Sequence, residues 1–429
     1  MENTTTPNTL APTASRIESL DAIRGIAVLG IFVINIVGFG LGEAGFASPL
    51  LVGGDGPLNH GLWTFTNIFV EGSMRGLFSL LFGAGIVLFT SRALYPDGPV
   101  VVADLYYRRT FWLIVFGLVH SFVFLAPGDI LLIYGIAAVI LFPFRILSPK
   151  TLLILAAVTL TGLTLSALDG ELAETAQGLE AVRIEQQINS GATITEQEQK
   201  LLDEWHAAVE GNLPRQDDLQ EEARQRTGDV ATVYSSNAAW VVENSQFFGI
   251  VRWVIDGMLM MFIGMALFKL GVLTGNRNRY FYVWMVIIGY GIGLSFRIWA
   301  MYSRWTAGFS PILWAWGSFN QIARLAVTLG HIGLFFLLWS VFAQSWLMRA
   351  LTAAGRMALS NYIGQSLIAN LIFSGIGFGL FATMDFAEIY LVMVAIWIVQ
   401  LLFSVWWLSG HRYGPLEWIW RALTYGRRP

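Results

Sequence analysis

The sequence predicts an all-α, polytopic transmembrane bundle of about ten spans with one acidic helical insertion outside the membrane. Three observations lead there. Of the 429 residues 55% are hydrophobic and only 13% charged, with 17 Trp and 30 Phe; an ordinary soluble domain carries about 25% charged residues. Mean hydropathy is +0.60. Apolar stretches able to cross a hydrocarbon core of about 30 Å recur near 23–42, 73–90, 110–126, 129–145, 151–168, 247–268, 280–300, 319–342, 357–379 and 386–408. With the N-terminus cytoplasmic, the inner loops collect most of the basic residues, among them Arg108, Arg109, Arg145, Lys269 and Arg349. Both termini are then expected on the cytoplasmic side of the membrane.

Residues 1–15, MENTTTPNTLAPTAS, are polar and lack a basic stretch ahead of an apolar core, so they read as a disordered cytoplasmic tail and not as a signal peptide. Residues 16–168 hold the first five spans, with 43–72 expected as an outer loop. Residues 169–246 carry 16 acidic and 5 basic side chains, a local charge of −11, while the rest of the chain carries +8. Apolar pairs at helical spacing, Leu179 with Val182 and Ile184 with Ile188, make this segment a helical extracytoplasmic insertion, and a long acidic loop can be translocated regardless of its charge. His206 within it reads as an exposed surface histidine. Residues 247–408 supply the last five spans. Residues 409–429 form a cytoplasmic amphipathic segment in which Pro415 suits a first helical turn and Glu417 complements its dipole.

Several classes are excluded or disfavoured. The net charge of −3 offers no uniform basic surface for nucleic acid. Without cysteine there is no disulfide, thiolate nucleophile or Cys-ligated metal. The five histidines stand in no HExxH or H-x3-H spacing, so no metal is expected. No GxxxxGK[ST] loop and no GxGxxG after a strand imply ATP or NAD. Neither a short repeat nor a pair of interrupted helices is legible along the chain, which lowers the case for a secondary transporter.

The stretch RIESLDAIRGIAVLGIFVIN, residues 16–35, puts Arg16, Asp21 and Arg24 at one face of the membrane. Asn35 lies about 21 Å farther along the same helix. Arg24 is open to two readings, a topology signal or, with Arg16 and Asp21, part of a clamp for an anionic ligand. Arg356 and the C-terminal RYGPLEWIWR belong to the same face and suit a nucleotide or phosphate. Inside the spans, Glu71 with Arg75 and Arg252 with Asp256 are i, i+4 pairs of opposite charge, each read as neutralising itself within one helix. Arg297, Arg324 and His331 are further polar residues at membrane depth. In LVHSFVFLAPGDIL, a Pro-Gly turn between two helices brings His120 toward Asp129, either as a general base oriented by a carboxylate or as an interfacial histidine beside a helix cap. His60, in LNHGLW, is the other imidazole on the outer side.

These blocks resemble the YeiB-type bacterial membrane proteins (domain of unknown function 418, DUF418). The resemblance is carried by RIESLDAIRGIAVLGIFVIN, LFSLLFGAGI at 77–86, GDILLIYG at 128–135, GRMALSNYIGQSL at 355–367 and RYGPLEWIWRALTYG at 412–426. A shared helix pattern links that family to transmembrane acyltransferases. Asn35 followed by His60 is similar to the lysosomal heparan-alpha-glucosaminide N-acetyltransferase, in which a first-helix Asn precedes a luminal His. In acyltransferase-3 proteins a His stands where this chain has Asn35, and a later Gly, Tyr, His pattern is matched by Gly355 and Tyr362 but ends on Gln365. The resemblance implies transfer of an acyl group from acetyl-CoA or another acyl-CoA to a hydroxyl or amine of a small-molecule or glycan acceptor. Arg16, Asp21, Arg24 and Arg356 would hold the donor, Asn35 would hydrogen-bond the reacting carbonyl, and His60, or His120 with Asp129, would deprotonate the acceptor. A transporter or a non-catalytic membrane protein is the alternative, and assembly into a homo-oligomer is left open.

Overall fold

The computed structural model describes residues 17–91, 98–212, 216–244, 246–309 and 317–426. Among the described residues the chain is helical throughout, without strands. The helices run in order as α1 Glu18–Ala47, α2 Pro57–Phe69, α3 Ser73–Ser91, α4 Gly98–Phe122, α5 Ile130–Leu141, α6 Pro149–Asn189, α7 Glu196–Asn212, α8 Gln216–Thr227 and α9 Val230–Asn244. They continue as α10 Phe247–Lys269, α11 Arg279–Thr306, α12 Asn320–Phe342, α13 Trp346–Arg356, α14 Ala358–Phe373, α15 Phe386–Gly410 and α16 Pro415–Tyr425.

Seven of these segments are long and apolar enough to cross a membrane, with α2 and α3 together forming one, consistent with a multi-pass membrane protein. The other predicted spans fall on α4, α5 and α14, of which α5 has 12 residues and α14 has 16. Side-chain placement follows the solvent a bilayer provides. On α15, Leu391, Ile398, Leu402 and Trp406 are exposed while Gln400 and Ser404 are buried, the reverse of a soluble helix.

Local sequence sets the helix ends. Ser148 caps α6 ahead of Pro149, and Asp385 and Glu388 form a reciprocal capping box at α15. Pro415 opens α16 and Gly426 closes it in the left-handed conformation, as the amphipathic C-terminal segment requires.

α1 is the axle of the bundle, with Ile23, Phe32 and Ile36 fully buried along its length. It packs on α3, α13, α14 and α15. Its approach to α13 is backbone to backbone: a Cβ on Gly25 would strike the Leu351 carbonyl, and one on Gly355 would strike the Asp21 carbonyl. The glycines of LFGAGI act likewise, since Gly83 lies against the backbone of Met261 on α10.

Two expectations need correction. Residues 43–72 are not simply an outer loop, because 57–69 form α2, which joins α3 through the non-helical stretch Val70–Gly72. The pair is thus an interrupted helix, with Gly72 at φ +64° where the chain turns. The boundary at 168/169 is not a structural break either: α6 runs uninterrupted across it for 41 residues and continues into the insertion. The insertion itself is helical, as expected, with Ala181, Ile184, Leu202 and Trp205 forming its own small core. Leu179 stays exposed. His206 is on the surface and pairs with Glu185 at 2.8 Å.

Candidate functional site

The α4–α5 hairpin builds the most defined polar site. α4 ends at Phe122, and the chain reverses through Leu125 at φ 52° and Gly128 at φ 76°. Asp129 then caps α5, its Oδ2 accepting from Leu132 N–H at 2.9 Å. Its Oδ1 lies 2.7 Å from His120 Nδ1 and accepts from the Tyr362 hydroxyl at 3.2 Å. Three groups therefore converge on one carboxylate, to which the Leu132 N–H and the Tyr362 hydroxyl both donate. An ionised carboxylate only accepts, so His120 donates to it from Nδ1, and in the neutral ring that tautomer leaves the lone pair on Nε2. That Nε2 is buried and has no hydrogen-bond partner. His120 is 1% exposed and its ring sits 5.0 Å from that of Tyr362. One oxygen of Asp129 thus caps the helix while the other meets the imidazole.

Neighbouring elements hold the hairpin tip. Asn370 on α14 donates to the Phe124 and Leu125 carbonyls at 2.9 and 3.1 Å. From the insertion, Tyr234 donates to Val123 O and Asn237 to Ser121 O, both at 2.9 Å. Gly117 lets α4 come this close to α5, because a Cβ there would lie 2.8 Å from Asp129 Oδ2 and collide with the Leu132 backbone.

The other sequence candidates are placed as follows. Asn35 is half-buried on α1, seven residues beyond Val28, whose carbonyl faces Gln365 of α14. His60 on α2 packs its ring 5.2 Å from Trp305 of α11. Among the described residues no hydrogen bond or ring contact joins His60 to His120, Asp129 or Asn35, so the two imidazoles belong to separate surroundings. Tyr362, which closes the His120–Asp129 group, was absent from the set of candidate residues. The Gly355–Tyr362 spacing was its one signal in the sequence.

At the N-terminal end of α1 a second group forms. Arg16 lies outside the described residues. Arg24 pairs with Asp21 at 2.8 Å, and the Gly355 contact brings Arg356 beside that turn, where it donates to Arg412 O at 3.2 Å. The structure adds Arg109, which sequence reasoning left out, and brings Arg421 of the C-terminal RYGPLEWIWR block beside it. Arg109 lies 3.7 Å over the Trp420 ring, within electrostatic reach of both Arg24 and Arg421. Arg421 stacks on Tyr413 and its Nε is without a hydrogen-bond partner. Glu417 does not neutralise this group, because it is spent on the N-terminus of α14, accepting from Leu359 N–H at 2.7 Å and Ser360 N–H at 3.1 Å. Burial nonetheless pushes its carboxyl above the ordinary carboxylate range, against those hydrogen bonds.

The in-span charges pair across helices and not along them. Asp256 takes Arg324 of α12 in a bidentate grip, at 2.9 and 2.5 Å, with Arg75 at 3.3 Å; Arg252 is exposed. Arg297 of α11 caps the broken end of α2, donating to Ile68 O at 2.9 Å and Glu71 O at 2.8 Å. His331 lies 2.9 Å from the Phe69 carbonyl at the same break. Among the described residues no group of three or more metal-ligating side chains is assembled.

Comparison with known proteins adds the family context. Residues 267–427 match the family model described as "Protein of unknown function (DUF418)". The chain is 28% identical to the uncharacterized protein YeiB of Escherichia coli (strain K12), over 95% of each chain. It is also 28% identical to the uncharacterized protein YxaH of Bacillus subtilis (strain 168), over 97% of each. These matches support the YeiB-type family. No solved structure matches the chain. The region shared with the YeiB-type family model contains Arg356, Tyr362, Glu417 and Arg421, while Arg24, Arg109, His120 and Asp129 precede it and fall in the part covered by the full-length relatives.

Proposed function

We propose that the protein is a multi-pass acyltransferase of the bacterial inner membrane that passes an acyl group from cytoplasmic acyl-CoA to an extracytoplasmic hydroxyl or amine. The observation that carries this reading is the buried His120, fixed by Asp129 through one nitrogen and unpartnered at the other. Arg109 supports it from the same helix, eleven residues away, which is about 16 Å at the usual rise. The arginine group of Arg24, Arg109, Arg356 and Arg421 meets the donor's phosphates, and the thioester arm extends along α4 toward the imidazole. His120 Nε2 takes the proton of the acceptor as its oxygen or nitrogen attacks the thioester carbon. The carbon–sulfur bond then breaks, and the imidazolium returns the proton to the leaving thiolate. Asn35 donates to the carbonyl oxygen, and Asp129 stabilises the imidazolium. Ten spans with both termini cytoplasmic put the arginine group inside and the insertion outside.

The test is thiol release from acetyl-CoA by the protein in liposomes with small amino sugars as acceptors. His120→Gln should lower turnover by about 10²–10⁴-fold at unchanged melting temperature. Equal thiol release by wild type and variant would refute the role. The interrupted helix α2–α3 favours a second reading, transport of a small solute, because half-helix ends at membrane depth suit ion and substrate sites. Solute uptake without thiol release would select it.

A further inference from the structure

Two arginines stand at the outer edge of α3 and α10. Arg252 is exposed on α10, and among the described residues its side chain makes no hydrogen bond or ion pair. It sits in an apolar stripe, since Phe248, one turn earlier, and Ile255, three residues later, are both exposed. Arg75 of α3 reaches the same edge: its side chain is 26% exposed and its guanidinium lies 4.4 Å over the ring of Trp253, itself an exposed residue. We propose that Arg75 and Arg252, together with Trp253, bind the phosphate headgroup of one anionic phospholipid in the leaflet on the side of the insertion. The site is separate from His120 and independent of the transfer reaction. Depth is the first argument. α10 follows the insertion and begins at Phe247, so Arg252 lies about 8 Å down the helix, close to the thickness of one headgroup layer.

Charge is the second argument. Asp256 stands 3.3 Å from Arg75 and also accepts both terminal nitrogens of Arg324. Glu71 is within electrostatic reach of Arg75, but its side chain stands 3.9 Å from Arg297 Nη2. The guanidinium groups of Arg75, Arg252, Arg297 and Arg324 thus face two carboxylates, and neither of those forms an ion pair with Arg252. A guanidinium among apolar side chains in a bilayer is costly unless it meets a counter-charge, and a lipid phosphate supplies one in the fork geometry arginine favours. Selectivity follows from the same excess. A zwitterionic headgroup brings its own ammonium to a positive site, whereas an anionic one leaves the attraction undiminished. The apolar bracket of Phe248 and Ile255 is the third argument, because it suits the glycerol and acyl portions of a lipid and offers a dissolved anion no polar approach.

The experiment places the full chain in phosphatidylcholine nanodiscs, raises the phosphatidylglycerol fraction stepwise, and counts the lipids retained per chain by native mass spectrometry. Saturable retention of one phosphatidylglycerol supports the site when half-saturation rises at least tenfold in Arg252→Gln and stays put in Arg279→Gln, an exposed arginine at the other end of the α10–α11 pair. Equal retention by wild type and Arg252→Gln, or equal retention of phosphatidylcholine and phosphatidylglycerol, overturns the proposal. So does the same loss in Arg279→Gln, because attraction to the general charge of the protein then accounts for the binding. Displacement of the lipid by inorganic phosphate at constant ionic strength assigns the arginines to a soluble anion and overturns it as well. Should Arg252→Gln not fold, Trp253→Leu, which takes the ring from Arg75 and leaves both charges, is expected to weaken retention, and retention equal to wild type again overturns the proposal.

Discussion

Replacing Asp256 by Asn tests whether the in-span charges are paired across helices. Asp256 is 7% exposed and Arg324 3%. The carboxylate accepts both terminal nitrogens of Arg324, at 2.9 and 2.5 Å, and a contact from Arg75 at 3.3 Å. An amide in its place removes the carboxylate charge nearest to two guanidinium groups and turns one acceptor into a donor facing N–H groups. Breaking a buried pair by removing one partner costs about 3–5 kcal/mol, which is roughly two to three and a half orders of magnitude in the folding equilibrium. Arg252, one helical turn before Asp256, is exposed on α10, and Arg252→Gln should change stability by less than about 0.5 kcal/mol. Unfolding in mixed micelles of rising dodecyl sulfate fraction, followed by tryptophan fluorescence, measures both variants on one scale. A double-mutant cycle of Asp256→Asn with Arg324→Gln should show strong coupling, and the same cycle with Arg252→Gln none. Equal costs for Asp256→Asn and Arg252→Gln would refute the cross-helix pairing and restore the i, i+4 pair.

Two further outcomes follow from local geometry. Gly355→Ala places a methyl against the Asp21 carbonyl, where only backbone can yield, so it should cost about 1–3 kcal/mol, whereas Gly85→Ala, which meets nothing within 4 Å, should gain about 0.5–1 kcal/mol; the same micelle titration decides. Glu417 is half-buried, and desolvation raises its carboxyl above the ordinary 4.5, so the folded state binds its proton more tightly than the unfolded state does. Its contribution is complete below the ordinary value and is lost as pH rises through the raised one. Thermal midpoints of the wild type should fall across that window, and Glu417→Gln should flatten the fall; an identical pH profile in the variant would contradict the assignment.

Much of this molecule is readable from the chain alone because the determinants are short-range. Long apolar stretches select helices in a bilayer, since each backbone polar group must be satisfied within its own segment. Caps at Asp129, Ser148 and Gly426 are local chemistry, and the Pro-Gly turn is enough to bring His120 to Asp129, nine residues away. Tertiary structure alone decided the rest. Arg324 reaches Asp256 from 68 residues away, and Tyr362 reaches Asp129 from 233. Such contacts depend on how each helix is rotated and how far it slides against its neighbour. Those choices are set by close approaches like Gly25 on Leu351 and Gly355 on Asp21. Glycine at these positions announces that some backbone comes near; which one, and which charges it carries along, is a property of the whole packed bundle. The interruption between α2 and α3 draws on both ranges: Ser73 donates locally to the Phe69 and Val70 carbonyls, while those of Asn67, Ile68 and Glu71 take Arg297 from the distant α11.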